Sequence, residues 1–258
     1  MSKIIKGIEH DIVYLDTNAL SEIAKNYNFA GRNFFKYLMD IYPKKKFAYA
    51  TSVFNLYELS KTIKHRENIL TAFNKVPLLV LESFPRNICK NIKKEDDVLL
   101  VTGMKPILNL DIEDVFKIID SDLNKTSIDE FKSHLSNEIN LWNKEKEEII
   151  KKTDLELFIE SYKVYVPDEK QFEILFSCNN AKIFSFIKKY FIYNKKDNIT
   201  QNSVIDTYNS SMAPSVDIYV TEKTVASWLI FSKDKFEFMK NVKIIKISDF
   251  YDKGDNDD

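Results

Sequence analysis

Short apolar runs alternate with amphipathic stretches along this chain, and this alternation limits the possible folds more than any other feature. The runs rich in Ile, Val, Leu, Tyr and Ala predict buried strands at residues 11–15, 47–50 and 77–81. Between and after them, helical spacing of apolar residues predicts helices over 19–27, 31–41 and 53–70. Strands and helices that alternate in this order predict a parallel sheet covered by helices.

The same pattern returns near the end of the sequence. It predicts a helix over 203–212, a strand over 216–220, a helix that runs to about Phe231 and a strand over 242–247. From 85 to 202 the residues are mainly helix formers with a period of 3.6 and no convincing strand. We therefore expect an α/β domain made of residues 1–84 and 203–258, with residues 85–202 inserted as a mainly helical subdomain.

Composition excludes some classes of protein. The 258 residues carry a formal net charge of -1, so the chain lacks the overall basic charge of a protein that coats nucleic acid. The two cysteines, Cys89 and Cys178, fit a reducing compartment. The first residues lack the apolar core of a signal peptide, and no run reaches transmembrane length. We expect a cytoplasmic protein with no membrane partner.

Four acidic residues stand where a metal site would need them. Asp16 ends the first strand, Glu58 lies in the helix after the second, Asp206 lies in the helix before the fourth, and Glu222 directly follows the fourth. In a doubly wound sheet these positions share the edge where ligands bind. Carboxylates that meet there repel one another unless a cation compensates, and oxygen ligands suit Mg²⁺ or Mn²⁺. Asp217 competes for this role, but strand alternation turns it away from its buried neighbours.

The chain resembles the PIN-domain ribonucleases in these same segments. The matching segments are Asp16-Thr17-Asn18 after a strand, Ser52 through Glu58, Asp206 in a late helix, and Thr221-Glu222 after a later strand. Two features depart from the family pattern. The last acid of the family stands two residues after the threonine, where this chain has Lys223, and the helix with Asp206 lacks the usual run of small residues.

The resemblance implies a three-layer PIN-like fold and a metal-dependent ribonuclease, in which Asp16, Glu58, Asp206 and Glu222 hold Mg²⁺ or Mn²⁺. Thr17, Asn18, Ser52, Asn209 and Thr221 would support those ligands. Lys61, Lys64, His65 and Arg66 follow Glu58 and would form a phosphate-binding rim, or simply a solvated helix face. The implied partners are nucleic acid (RNA rather than DNA), an antitoxin or regulatory protein, and a second copy of the chain.

Three other interpretations remain open at this stage. Asp16 is also in the place of a helix N-cap. The departure at Glu222 is compatible with a catalytically inactive module that keeps the fold and binds nucleic acid or protein. A phosphatase of the haloacid dehalogenase type also ends its first strand in Asp, but it needs a second Asp two residues later, where this chain has Asn18.

Overall fold

The computed structural model describes residues 3–5, 8–25, 32–52, 55, 63–73, 78–81, 133, 135–162, 176, 179–194 and 198–250. Its strands are β1 (Lys3–Ile5), β2 (Ile8–Leu15), β3 (Phe47–Ser52), β4 (Leu78–Leu81), β5 (Ile218–Thr221) and β6 (Lys243–Lys246). Its labelled helices are α1 (Thr17–Lys25), α2 (Arg32–Ile41), α3 (Ile63–Phe73), α4 (Lys146–Lys151), α5 (Asp154–Tyr162), α6 (Asn179–Asn194), α7 (Gln201–Ser210) and α8 (Lys223–Lys233). Residues 135–144 are also helical, and three short 3₁₀ turns follow α7, α8 and β6.

Five strands form a parallel sheet in the order β4-β3-β2-β5-β6, and β1 pairs antiparallel with β2. The chain builds outward from β2 to β3 and β4, and later builds outward on the other side of β2 through β5 and β6. The strand order therefore reverses between β2 and β5. In open α/β sheets, ligands bind beyond the carboxyl ends of the strands at such a reversal. The predicted parallel α/β sheet is confirmed.

Helices cover both faces of the sheet because both sets of alternating strand residues are apolar. On one face, the ring of Tyr49 lies 5.8 Å from Phe34 and 4.9 Å from Phe35 of α2. On the other face, Tyr14 belongs to a core cluster that includes residues of α6, α7 and α8. Burying strand residues on both faces explains why their sequences are continuous apolar runs rather than strict alternations.

The region predicted as an insert is helical wherever it is described between residues 133 and 200, apart from short connections. Its buried residues, among them Trp142 and Phe184, belong to the same core cluster as Tyr14 and Ala50 of the sheet. The ring of Phe184 lies 4.9 Å from that of Tyr208 on α7. Part of this region therefore forms the helical layer on the sheet, while its division into a separate subdomain stays a prediction.

Most predicted strands and helices are present with shifted ends. The strand β3 continues through Thr51 and Ser52, where the sequence predicted a turn. The helix α3 ends at Phe73 rather than near Leu70. The strand β1 was not predicted, since three residues give too little periodicity. In the described part of the chain, no helix is both long and apolar enough to cross a membrane.

Candidate active site

Asp16 lies just past the end of β2, beside β5, at the position where the strand order reverses. Its backbone N–H donates to the carbonyl oxygen of Val220 (3.3 Å), so the backbone at Asp16 is still bound to β5. Its carboxylate accepts hydrogen bonds from the backbone N–H of Ala19 (2.8 Å) and from the hydroxyl of Thr221. Only 4% of the residue is exposed. Asp16 thus caps α1 and also lies buried at the expected ligand edge.

Burial raises the pKa of Asp16 from 3.8 to about 6, because the carboxylate loses its hydration. The hydrogen bonds from Thr221 and from the Ala19 N–H oppose this rise, since they favour the ionised form. The negative charge of Glu222 raises the pKa further, while the backbone N–H of Glu222 lowers it. Among the described residues, no Lys, Arg or His side chain forms an ion pair with Asp16. The Asp16 carboxylate is therefore buried near the negative charge of Glu222 and has no cationic partner among the described residues.

Asp206 and Glu222 contribute negative charge to the same part of the molecule. Asp206 is half-buried on α7. The pKa values of Tyr14 and Tyr219 are raised mainly because both hydroxyls are buried, and the negative charges of Asp16 and Asp206 raise them further. Glu222 is half-buried at the N-cap position of α8, where its side chain makes no capping bond. Asp16 and Asp206 therefore both act on the two tyrosines, and Glu222 acts on Asp16, but these three described acids do not lie closely enough together to form a three-acid metal group.

Beneath Asp16, the rings of Tyr14 and Tyr219 stack with their centroids 4.8 Å apart. They are paired neighbours on β2 and β5, and each is fully buried. The hydroxyl of Tyr219 has no hydrogen-bond partner among the described residues, while the nearby hydroxyl of Ser210 donates to the carbonyl oxygen of Asp206 (2.7 Å). The stacked rings form a fully buried aromatic floor on β2 and β5.

A buried amide lies beside this floor. The side-chain nitrogen of Asn55 lies within hydrogen-bonding distance of the Tyr14 hydroxyl (3.2 Å), the Leu15 carbonyl oxygen (3.1 Å) and the Thr51 hydroxyl (3.0 Å). Its carbonyl oxygen accepts from the hydroxyl of Thr17 (2.7 Å). Thr51 in turn donates to the Leu15 carbonyl oxygen (2.9 Å). Asn55 therefore links the ends of β2 and β3 to the start of α1.

Asn209 extends this network to α7. Its amide nitrogen donates to the carbonyl oxygen of Asn55 (2.8 Å). Its own carbonyl oxygen accepts from the hydroxyls of Tyr14 (3.2 Å) and Ser52 (3.3 Å). Ser52 also accepts from the backbone N–H of Asn55 (3.2 Å), which is the capping role that the sequence predicted for it. The supporting role predicted for Asn209 is compatible with these contacts.

The structure describes the side chains of some of the remaining candidate residues but not of others. Asn18 is exposed on the first turn of α1, and Arg66 is half-buried on α3. Lys64 and His65 belong to α3, but the structure does not describe their side chains. Glu58 and Lys61 lie outside the described residues. Asp217 lies at the opposite edge of the sheet, where its carboxylate accepts from the N–H of Ile12 (2.8 Å). Position along the strand therefore keeps Asp217 away from Asp16.

Sequence reasoning missed the roles of Asn55, Thr51 and the two stacked tyrosines. Tyr14 and Tyr219 look like ordinary strand core, because a hydroxyl at a ring's far end leaves no trace in hydrophobic periodicity. Asn55 does leave a signal. It stands three residues after Ser52, where an N-cap residue accepts from the backbone, and it is polar within an otherwise apolar stretch. That placement could have identified it as a buried hydrogen-bonding residue.

The donor chemistry at this edge fits a hard divalent cation. Carboxylate oxygens are the ligands that Mg²⁺ and Mn²⁺ prefer, and each oxygen of Asp16 keeps lone-pair capacity beyond the hydrogen bonds it accepts. A cation would also offset the repulsion between Asp16 and Glu222. Within the described ranges, which omit Glu58, no three His, Cys, Asp or Glu side chains are grouped closely enough to hold a metal ion.

Comparison with known proteins gives no match: no family model, no curated protein and no solved structure matches this chain.

Proposed function

We propose that this protein is a divalent-metal-dependent nuclease that hydrolyses phosphodiester bonds, with RNA as the favoured substrate. One observation carries the proposal: Asp16 is buried where the strand order reverses, beside the like charge of Glu222 and without a cationic partner among the described residues. Burying an uncompensated carboxylate is unfavourable for stability, so a bound ligand is the natural reason to retain one. The PIN-domain resemblance in the sequence supplies the reaction type.

In this proposal, Asp16, Asp206, Glu222 and Glu58 would hold Mg²⁺ or Mn²⁺. A cation held there would lower the pKa of a water molecule and would stabilise the negative charge that develops on the phosphate. The chain itself orients the main ligand, because the Ala19 N–H and the Thr221 hydroxyl fix the two oxygens of Asp16. Thr17 and Ser52 contribute indirectly through Asn55 and Asn209.

Such hydrolysis leaves a 5′-phosphate and a 3′-hydroxyl and needs neither a nucleophilic serine nor a histidine pair. Lys61, Lys64, His65 and Arg66 form the proposed phosphate-binding rim. The helical region from 85 to 202 would select the substrate or a protein partner. That partner would be an antitoxin, another regulatory protein or a second copy of the chain. A toxin or a defence effector is the biological role that such partners would suit.

The test is cleavage of labelled single-stranded RNA and DNA with Mn²⁺ or Mg²⁺ by the wild type, Asp16→Asn and Asp217→Asn. Asp217 is a matched control, because it is also an acid that accepts a backbone hydrogen bond, but at the other edge of the sheet. We expect Asp16→Asn to lose cleavage and Asp217→Asn to retain it. If Asp16→Asn cleaved at the wild-type rate and gave products with the same ends, Asp16 would have no role in the reaction.

A second candidate is an inactive module that keeps the fold and binds nucleic acid or protein. The observation that favours it is the absence of a three-acid group from the described residues, together with hydrogen bonds on both oxygens of Asp16. Calorimetric titration with Mn²⁺ separates the two candidates. If the wild type neither binds Mn²⁺ nor cleaves, the binding module is favoured.

A further inference from the structure

Two buried asparagines, Asn55 and Asn209, form a hydrogen-bonded pair beside Asp16. Asn55 is fully buried and Asn209 is 2% exposed, although they are 154 positions apart in the sequence. Buried amides are stable only when their donors and acceptors are satisfied. Here the carbonyl oxygen of Asn55 accepts two hydrogen bonds and its nitrogen faces three acceptors, so the pair uses most of its hydrogen-bonding capacity.

The surroundings fix the orientation of each amide. If Asn55 were flipped, its nitrogen would face the nitrogen of Asn209, and two donors would meet. If Asn209 were flipped, its nitrogen would face the hydroxyls of Tyr14 and Ser52, so its oxygen would lose the hydrogen bonds that they donate and would face the oxygen of Asn55. Only one arrangement of the pair satisfies all of these contacts, so the pair specifies one relative position of the elements that it joins.

The pair joins the elements that carry the predicted ligands. Asn209 follows Asp206 by three residues on α7, and residues three apart lie on the same side of a helix. A slip of α7 by one residue would turn Asp206 by about 100° around the helix axis. The bond to Asn55 opposes such a slip, and Asn55 in turn is tied to Leu15, next to Asp16. In the sequence, Asn55 precedes Glu58 by three residues.

We infer that Asn55 and Asn209 are positioning residues, whose hydrogen-bonded pair fixes α7, the helix that carries Asp206, against the strand ends next to Asp16. This inference rests on the proposed metal-dependent function. An asparagine pair suits the role because it is uncharged, so it can link the strand ends and α7 without adding to the repulsion between Asp16 and Glu222. Residues that orient metal ligands through hydrogen bonds typically affect metal affinity or activity by about 10- to 100-fold.

The experiment measures Mn²⁺ affinity by calorimetry, together with kcat and KM for RNA, in Asn55→Ala, Asn209→Ala and the double variant. Asn143→Ala is the matched control. The Asn143 amide makes two hydrogen bonds to the backbone of Ile199 (3.1 and 2.8 Å), and neither bond is to a residue that contacts Asp16. Circular dichroism and thermal unfolding establish that each variant is folded. If Asn209→Ala does not fold, Asn209→Ser replaces it.

We expect each single variant to bind Mn²⁺ about 10- to 100-fold more weakly and to lose kcat with little change in KM. The double variant should resemble the single ones, because the two amides act as one unit. Asn143→Ala should match the wild type in affinity. Folded Asn209→Ala with wild-type affinity and kcat would overturn the inference while leaving the nuclease proposal intact. A wild type that neither binds Mn²⁺ nor cleaves would overturn both.

Discussion

Replacing Asp16 by Asn should stabilise the metal-free protein at pH 7.5, although it removes a group that we place in the active site. Burial raises the pKa of this carboxyl from 3.8 to about 6, so the folded state disfavours the ionised form. At about 1.4 kcal/mol for each pKa unit, ionised Asp16 lowers the free energy of unfolding by about 3 kcal/mol. Asn is uncharged and caps a helix as well as Asp does, so the variant avoids this penalty and keeps the cap.

The pH dependence has a definite sign. Between about pH 4 and pH 6 the folded state binds a proton that the unfolded state has released, so stability falls as pH rises through this range. Above that range Asp16 is ionised in both states and the full penalty persists. The stability difference between Asp16→Asn and the wild type should therefore be about 3 kcal/mol at pH 7.5, and about half of that at pH 5.

Urea unfolding in EDTA between pH 5 and pH 8 measures this difference, with Asp217→Asn as the control for losing an acid elsewhere. Adding Mn²⁺ at about 1,000 times its Kd should then reverse the order of stabilities, because it stabilises the folded wild type by about 4.1 kcal/mol, more than the penalty of about 3 kcal/mol, and Asp16→Asn should bind it poorly. If Asp16→Asn is less stable than the wild type by the same amount at every pH, the carboxylate acts only as a helix cap. The electrostatic argument for the site would then be refuted.

Three further predictions test other parts of the structure. Asp206→Asn should weaken Mn²⁺ binding in calorimetry, because it removes the negative charge of a proposed ligand while keeping the size of the side chain. Lys188→Met should lower the free energy of unfolding in urea by about 3–5 kcal/mol, because it leaves Glu138 buried without its cation (3.3 Å). Adding Glu138→Gln should restore much of the loss, because glutamine is uncharged and keeps an acceptor for the Trp142 Nε1–H (2.6 Å). Thr200→Ala should lower the thermal midpoint by an amount equivalent to about 1 kcal/mol, since the Thr200 hydroxyl caps α7.

The sheet could be predicted from the sequence because each central strand contains an uninterrupted apolar run that is followed by a helical pattern. Strands buried on both faces give this signal directly, whereas their exact ends depend on tertiary pairing. Thr51 and Ser52 illustrate the limit: they are typical turn residues, yet β3 continues through them because they pair with β4. The position of Asp16 at the carboxyl edge followed from the end of an apolar run, and the structure confirms that position.

The hydrogen-bonded contacts around Asp16 could not be predicted in the same way. Asn55 and Asn209 meet only because α7 packs across the sheet, and no local pattern encodes a contact over 154 positions. The stacking of Tyr14 on Tyr219 likewise depends on the register between β2 and β5. These strands are far apart in the sequence, so no short turn between them fixes that register. The role of the four acids as metal ligands stays a prediction.

Two buried polar clusters in this protein show why charge balance, rather than burial, indicates the site. In the helical region, Lys188 is fully buried, but it donates to Glu138 (3.3 Å) and Ser161 (2.7 Å), so positive and negative charge meet and each is satisfied. A paired cluster of this kind can serve structure alone. Beside β2 and β5, in contrast, Asp16 is buried next to another acid. Local departures from the rules of core packing are expected at functional sites. A buried charge without an opposite charge, as at Asp16, departs further from those rules than a buried ion pair such as Lys188 and Glu138. The active-site hypothesis therefore depends on one observation: among the described residues, Asp16 is buried beside the negative charge of Glu222 and no positive charge is paired with it.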